Sequence, residues 1–206
     1  HGCFVHLAEK VKANVEIPVI TVGRIKDPVM ADEIIAQGRA DLVAMGRALL
    51  ADPDLPEKAR EMRFDEIRPC IGCCVACIHR VLALESGSCV VNPSVGREYL
   101  LKDRKPAEDP KSVVVVGGGP AGMAFARSAT LMGHRVTLFE EKKVPGGVAR
   151  AASLPPGRGE VLDIISFFQR QLDFLGVDVR TGTSLSAELL EKIKPDTVVV
   201  ATGGLP

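Results

Sequence analysis

Five of the chain's six cysteines fall between residues 70 and 89, in the segment RPCIGCCVACIHRVLALESGSC that runs from Arg68 to Cys89. Two residues separate Cys70 from Cys73, three separate Cys73 from Cys77, and eleven more precede Cys89. Three thiols on one tight loop with a fourth returning from a distance suit an iron–sulfur cluster, whose size calls for a wrapped loop plus one remote ligand. On this reading Cys70, Cys73, Cys77 and Cys89 converge as metal ligands. Zinc is the competing reading, although structural zinc sites usually pair two C-x2-C knuckles and only one is present here. Thiol redox chemistry at Cys70 and Cys73 is a third, but that motif normally opens a helix in a βαβ setting. Cys74 is surplus and is expected to point away from the cluster. Cys3 lies on an apolar helical pattern and reads as a small buried hydrophobe. The four histidines show no ligand spacing.

A second motif stands further on. Val113 to Val116 runs into Gly117-Gly118-Gly119-Pro120-Ala121-Gly122 and then into a helical pattern. This is G-x-G-x-x-G between a strand and a helix, the setting in which it binds a dinucleotide. Gly117 permits the tight turn, Gly119 lets backbone approach a pyrophosphate, and Gly122 lets helix and strand pack closely. Ala121 is counted with them. The free N–H groups of the helix start then face the phosphates. Glu140 ends the next strand at about the expected spacing of 20 residues, where a carboxylate hydrogen-bonds a ribose hydroxyl and disfavours a 2′-phosphate. Gly147, in the pair that follows Glu140, and Thr202-Gly203 in the closing VVVATGG are more typical of FAD-type than of NAD-type domains.

Two Gly-Arg pairs, Gly23-Arg24 and Gly46-Arg47, each end a short apolar run, IPVITV and DLVAM. Strand ends of this kind can present backbone N–H groups and a guanidinium to a phosphate, as after the last strands of an eight-fold βα barrel. An ordinary strand-to-helix turn reads equally well.

These residues need elements to hold them. Residues 1–60 alternate helical and strand patterns: Phe4, Leu7, Ala8 and Val11 fall at helical spacing, and Asp27-Pro28 is an N-cap followed by proline at the first helical position. Strands apolar on both faces and alternating with helices indicate parallel βα units. Residues 61–106 hold the cysteines, and the mixed-charge, proline-bearing 97–111 reads as a linker. Residues 107–206 alternate again: strand 112–116, helix 120–132, strand 135–139, amphipathic helix 160–175, strand 177–180, helix 187–193 and strand 197–201, a doubly wound pattern. The predicted fold class is α/β: two terminal βα units of a TIM barrel, a cysteine-rich Fe–S segment and a dinucleotide-binding domain.

The 206 residues carry 26 basic and 26 acidic side chains, so bulk charge steers toward neither nucleic acid nor anionic membrane. Trp is absent, and stacking on nucleic-acid bases is not a theme. No apolar run reaches the roughly 20 residues that span a bilayer. Both ends look cut, with no initiator Met, so the lack of a signal peptide carries no weight.

The order of parts resembles the multidomain flavoenzymes of the 2,4-dienoyl-CoA reductase and enoate reductase group, with a barrel like that of old yellow enzyme. The residues that carry the likeness are IPVITVGRI, DLVAMGRALLADPDLPEKA, RPCIGC, CVVNP, VVVVGGGPAGM and VPGG. The resemblance implies a barrel holding FMN, a [4Fe–4S] cluster and an FAD domain, with NADH as electron donor to an NADH:flavin oxidoreductase. It assigns Gly23, Arg24, Gly46 and Arg47 to the FMN phosphate, Cys70, Cys73, Cys77 and Cys89 to the cluster, and Gly117, Gly119, Gly122, Glu140 and Gly147 to FAD. The family often has Asn where this chain has Cys74, and Gln or Arg where it has Val148. Amine dehydrogenases such as trimethylamine dehydrogenase resemble the chain almost as well, with the third cysteine spaced by two residues. An electron-transfer module without its own substrate and a zinc-stabilised NAD-binding module are also compatible with these residues. The expected partner is a small-molecule substrate reduced at an activated C=C bond, with no nucleic acid and no membrane; a homo-oligomer is allowed for. The expected location is cytoplasmic, from the oxygen-sensitive cluster and reduced thiols. No catalytic acid or base is assigned within these residues, and by themselves they are expected to be inactive.

Overall fold

The computed structural model describes residues 1–101 and 104–204. They form two compact units, 1–98 and 99–206. The linker expected at 97–111 crosses the join; its Lys102 and Asp103, like the terminal Leu205 and Pro206, lie outside the described residues.

The first unit runs α1 (Val5–Lys12), β1 (Ile20–Thr21), α2 (Pro28–Ala36), β2 (Leu42–Val43), α3 (Gly46–Ala51), α4 (Leu55–Arg60) and α5 (Ile78–Leu82). A short helix, α6 (Glu98–Leu101), falls at the join. β1 and β2 pair in parallel, Ile20 opposite Leu42 and Thr21 opposite Val43. The ladder is shorter than the apolar runs suggest, because the Asp41 carboxylate takes the Val19 N–H at 2.8 Å where a strand partner would. Asp27 caps α2 as expected: its Oδ1 accepts from Val29 N at 2.9 Å, with Pro28 at the first position. Val5, Ile25, Ile34 and Ala40 form the core between helices and sheet, with Met30, Ala31, Val43 and Met45 against it.

The opposite face of this sheet is bare. Ile20 is 59% exposed and its ladder partner Leu42 52%, with Val22 alongside. Parallel sheets are otherwise covered on both faces. In α1 it is Val5 that is buried, while Phe4, Leu7 and Val11 stay about half exposed. Cys3 departs from its reading as a buried hydrophobe. It is exposed, in the turn before α1, where its N–H donates to Gly23 O at 3.2 Å.

The second unit runs β3 (Ser112–Val116), α7 (Pro120–Leu131), β4 (Arg135–Glu140), α8 (Val148–Ser153), α9 (Asp163–Phe174), β5 (Asp178–Thr181), α10 (Ala187–Ile193) and β6 (Thr197–Val200). All four strands are parallel in the order β5-β4-β3-β6. Counted within the unit, that is third-second-first-fourth. The direction of winding therefore reverses beside β3, and such a reversal opens a crevice at the carboxyl ends of the strands. β3 is central, and Val113, Val114 and Val115 are buried, as a β-branched run flanked on both sides should be. α7 turns Met123, Ala126 and Ala129 inward, and α9 presents Ile164, Ile165, Phe167, Phe168 and Leu172. Gln171, buried on α9, accepts from Arg127 Nε of α7 at 3.0 Å, and the Arg127 guanidinium lies over the Phe167 ring at 5.8 Å. The amphipathic pattern predicts one helix from residue 160; its first turn, Gly159–Leu162, is instead a 3-10 turn.

Asp41 joins three parts of the first unit, since its carboxylate also accepts from the Lys12 ammonium of α1. The Lys12 hydrogen bond, followed by that from Val19, holds its carboxyl below the ordinary value of 3.8. A depressed carboxyl contributes stability that is complete above its unfolded pKa and is lost as pH falls through the folded one. Acid unfolding below pH 3.8 is therefore expected to flatten in Asp41→Asn, measured as the dependence of the unfolding midpoint on pH.

Candidate functional site

α3 and the cysteine segment are built as one piece. α3 opens at Gly46, with Met45 at the N-cap and no side-chain cap. Its C-cap is Asp52, a carboxylate only 2% exposed. Asp52 Oδ2 accepts from Lys58 Nζ and from Arg68 N, both at 2.7 Å, and Oδ1 accepts from Asp54 N at 3.1 Å. The Arg68 bond fixes the chain two residues before Cys70. Asn92, also buried, fixes it after Cys89: its Nδ2 donates to Leu50 O of α3 at 2.9 Å, and its Oδ1 accepts from Ser94 N. Burial pushes the Arg68 guanidinium below the usual arginine range, against the opposing pull of Asp52, Cys89 and Asp54.

Between these anchors Cys70, Cys73, Cys74, Cys77 and Cys89 are all half-buried and unbridged. They line one recess together with Arg47, Leu50 and Val91. Among the described residues no three His, Cys, Asp or Glu side chains converge on a single ion position. The four spaced cysteines share one recess, as their spacing on a single loop suggests. Cys74 lines the same recess. Its backbone is left-handed, φ 56°, and Arg47 Nη1 donates to its Sγ at 2.9 Å. His79 is exposed on α5.

The two Gly-Arg pairs lie past the carboxyl ends of paired strands. Gly23 is buried with φ 125°, and a Cβ there would sit 2.9 Å from both Cys3 Sγ and Phe4 Cδ2, so packing and backbone both demand glycine. Arg24 follows at φ 52°, rare for a residue with a side chain. Gly46 is exposed, with nothing within 4 Å of a Cβ position. Arg47 starts α3 and reaches the cysteine recess.

In the second unit the glycine turn sits at the reversal of strand order. A Cβ on Gly117 would lie 2.4 Å from Ala201 O, so the turn abuts the end of β6, with Thr202 and Gly203 next along the chain. A Cβ on Gly122 would lie 1.9 Å from Gly117 O. Gly119 differs: its nearest neighbour is Gly147 Cα at 3.9 Å, so protein packing does not require glycine there. A ligand approaching the backbone would. Ala121, the second residue of α7, is exposed. Glu140 is 7% exposed; its Oε2 accepts from Gly118 N at 2.7 Å and its Oε1 from Lys142 N at 2.9 Å. The loop through Gly147 is tied to the same turn by Gly146 N donating to Gly118 O at 2.8 Å. Gly118 is only a variable position of the motif, yet a Cβ there would press on the Glu140 side chain at 3.0 Å.

A parallel α/β unit with a glycine turn at its winding reversal thus follows, along the chain, a unit whose cysteines line one recess. Residues 115–166 match the NAD(P)-binding Rossmann-like domain, and residues 3–66 match the NADH:flavin oxidoreductase / NADH oxidase family. Over these two spans the chain is similar to that flavin-dependent family. It is 47% identical over 206 residues to an NADH oxidase of Thermoanaerobacter brockii, covering all of this chain and 32% of that protein. It is 37% identical over 207 residues to a cinnamate reductase of Clostridium sporogenes, covering 100% and 31%. To an N,N-dimethylglycine/sarcosine dehydrogenase of Chromohalobacter salexigens it is 43% identical over 206 residues, covering 98% and 30%. A solved 2-naphthoyl-CoA reductase complex superposes with a TM-score of 0.92 at 34% identity, over 100% of this chain and 31% of that one. The chain thus spans about a third of the length of the relatives it matches. No helix among the described residues is long and apolar enough to cross a membrane.

Two outcomes separate holding residues from ligand residues. Asp52→Ala strands the Lys58 ammonium and the Arg68 N–H, and is expected to cost about 3 kcal/mol in urea unfolding. Gly119→Ala is expected to cost at most about 1 kcal/mol, the usual N-cap loss, while weakening dinucleotide binding in a fluorescence titration. Gly122→Ala, whose Cβ meets backbone, is expected to lose both fold stability and binding.

Proposed function

We propose that these residues belong to an NADH:flavin oxidoreductase in which electrons pass from NADH through FAD and a [4Fe–4S] cluster to FMN, and on to an activated C=C bond of a small-molecule substrate. Flavins exchange electrons singly or in pairs and an iron–sulfur centre singly, so together these groups convert a hydride donor's pair into single transfers and back.

The observation that carries this reading is that Cys70, Cys73, Cys77 and Cys89 line one recess together with Arg47. A mononuclear zinc needs its sulfurs at about 2.3 Å from one centre. A four-iron cluster takes each thiolate on a separate iron, and four cysteines around one recess are a donor set of the right number and kind for it. Asp52 and Asn92 hold the two ends of that loop on α3. Gly46 and Arg47, at the start of α3, and Gly23 and Arg24, past β1, offer N–H groups and guanidinium charge for the FMN phosphate.

For FAD, Gly119 leaves backbone accessible to a pyrophosphate, and the first turn of α7 supplies unpaired N–H groups. Each Glu140 oxygen already accepts one backbone N–H and keeps a second lone pair for a ribose hydroxyl. Gly147 faces Gly119, and Thr202-Gly203 follow the end of β6 on the far side of the turn. The bare apolar face of Ile20, Val22 and Leu42 is what further strands of a closed barrel would cover. A cytoplasmic location is part of the same reading, since half-buried, unbridged thiols persist in a reducing compartment.

The 43% identity to an N,N-dimethylglycine/sarcosine dehydrogenase favours a second reading, oxidation of an amine by the same chain of groups. The spacing of three residues between Cys73 and Cys77 leans toward the C=C reductases.

The test is metal analysis of anaerobically purified protein. About four iron and four acid-labile sulfide per chain, with no zinc, is the expected result. Zinc without sulfide, persisting after attempted cluster reconstitution, would overturn the electron-relay reading. Cys70→Ser is expected to lower iron content and bleach the visible absorbance that iron–sulfur centres give.

A further inference from the structure

We infer that Cys74 is a positioning residue: its sulfur holds the Arg47 guanidinium against the cysteine loop, so that the phosphate-binding arginine and the cluster-holding loop are set as one piece. The inference rests on the reading of Arg47 as a phosphate ligand.

Two features of Cys74 call for explanation. It lines the same recess as the four spaced cysteines although the loop needs only four thiols. It also takes φ 56°, a conformation that a residue with a Cβ adopts reluctantly and that glycine or asparagine would carry more readily. Backbone need alone would be better met by either of those two. The cysteine adds a sulfur acceptor. Arg47 Nη1 donates to it at 2.9 Å, a bond strengthened by the charge on the donor.

The surroundings make this bond directional. Cys74 O accepts from His79 N at 3.0 Å, which ties its backbone to the start of α5. Arg47 lies in the first turn of α3, and the other end of α3 is joined to the cysteine loop through Asp52–Arg68 and Leu50–Asn92. Arg47–Cys74 is therefore a third tie between the same two segments, at the end of α3 that carries Gly46 and Arg47. It employs the Nη1 end of the guanidinium, and the planar fork keeps further N–H donors for a phosphate. A long side chain already oriented loses less freedom when its ligand arrives.

The test compares two substitutions in the full-length protein, both suited to a left-handed backbone. Cys74→Asn supplies an oxygen acceptor to Arg47, whereas Cys74→Gly supplies none. FMN affinity is read from the quenching of flavin fluorescence on rebinding to flavin-depleted protein, and iron per chain is measured in parallel. Cys74→Gly is expected to weaken FMN binding about tenfold, the worth of one net hydrogen bond. Cys74→Asn is expected to stay within about twofold, with iron unchanged in both. Equal FMN affinity in the two variants would overturn the inference, leaving Cys74 a backbone accommodation. Loss of iron in both would also overturn it, making Cys74 a ligand. Arg47→Met separates the two levels. If it leaves FMN binding intact, the phosphate reading itself fails; if it weakens binding while Cys74→Gly does not, only the positioning role fails.

Discussion

Asp52 is a carboxylate almost out of contact with water, and a charge in that position is tolerated only when its lone pairs are filled. Three donors fill them: the Lys58 ammonium from α4 and the N–H groups of Asp54 and Arg68. One side chain thereby ends α3, starts the turn into α4 and delivers the chain to Cys70. The cysteine segment has little regular structure of its own, with α5 as its one helix between the first and last thiol. Its shape is imposed from outside, by Asp52 before the first cysteine and by Asn92 after the last. The segment needs such external fixing, because a five-residue helix and a run of turns hold little shape by themselves.

The second unit solves a comparable problem by different means. There the site is a backbone surface, and its accuracy comes from how closely three chain segments approach. Gly117 and Gly122 are needed for contact between backbone atoms, and Gly118 makes room for the Glu140 side chain. Glu140 then closes the arrangement by accepting the Gly118 N–H from the end of the neighbouring strand. Only Gly119 is left without a reason inside the protein. Packing thus accounts for the other glycines of the turn and leaves the backbone at Gly119 open.

Much of the second unit is legible in its residues. Strand β3, helix α7, strand β4 and helix α10 lie within a residue of where their patterns put them, because alternation, capping and the glycine motif are local signals. The first unit is less so. IPVITV and DLVAM do contain paired parallel strands, but the one ladder between them is two residues long, shortened where Asp41 stands in for a strand partner. Cys3 fits an apolar helical pattern and yet is exposed, since α1 begins only at Val5 and leaves it in a turn. Helical spacing cannot say where a helix starts when no capping side chain marks it.

The residues alone determined the chemistry on offer: which cysteines share a loop, which glycines form the turn, and which acid ends the following strand. Spacing decides these because the reach of a short loop and the period of a strand or helix are properties of nearby residues. Tertiary structure decided which side chains complete the sites. Asp52 and Arg68 stand 16 residues apart, Glu140 and Gly118 22, Arg47 and Cys74 27, and Asn92 and Leu50 42. None of these partners is named by a local pattern. They meet because burying α3 and pairing parallel strands bring distant segments within hydrogen-bond reach, and the direction each side chain then takes is set by the neighbours it finds there.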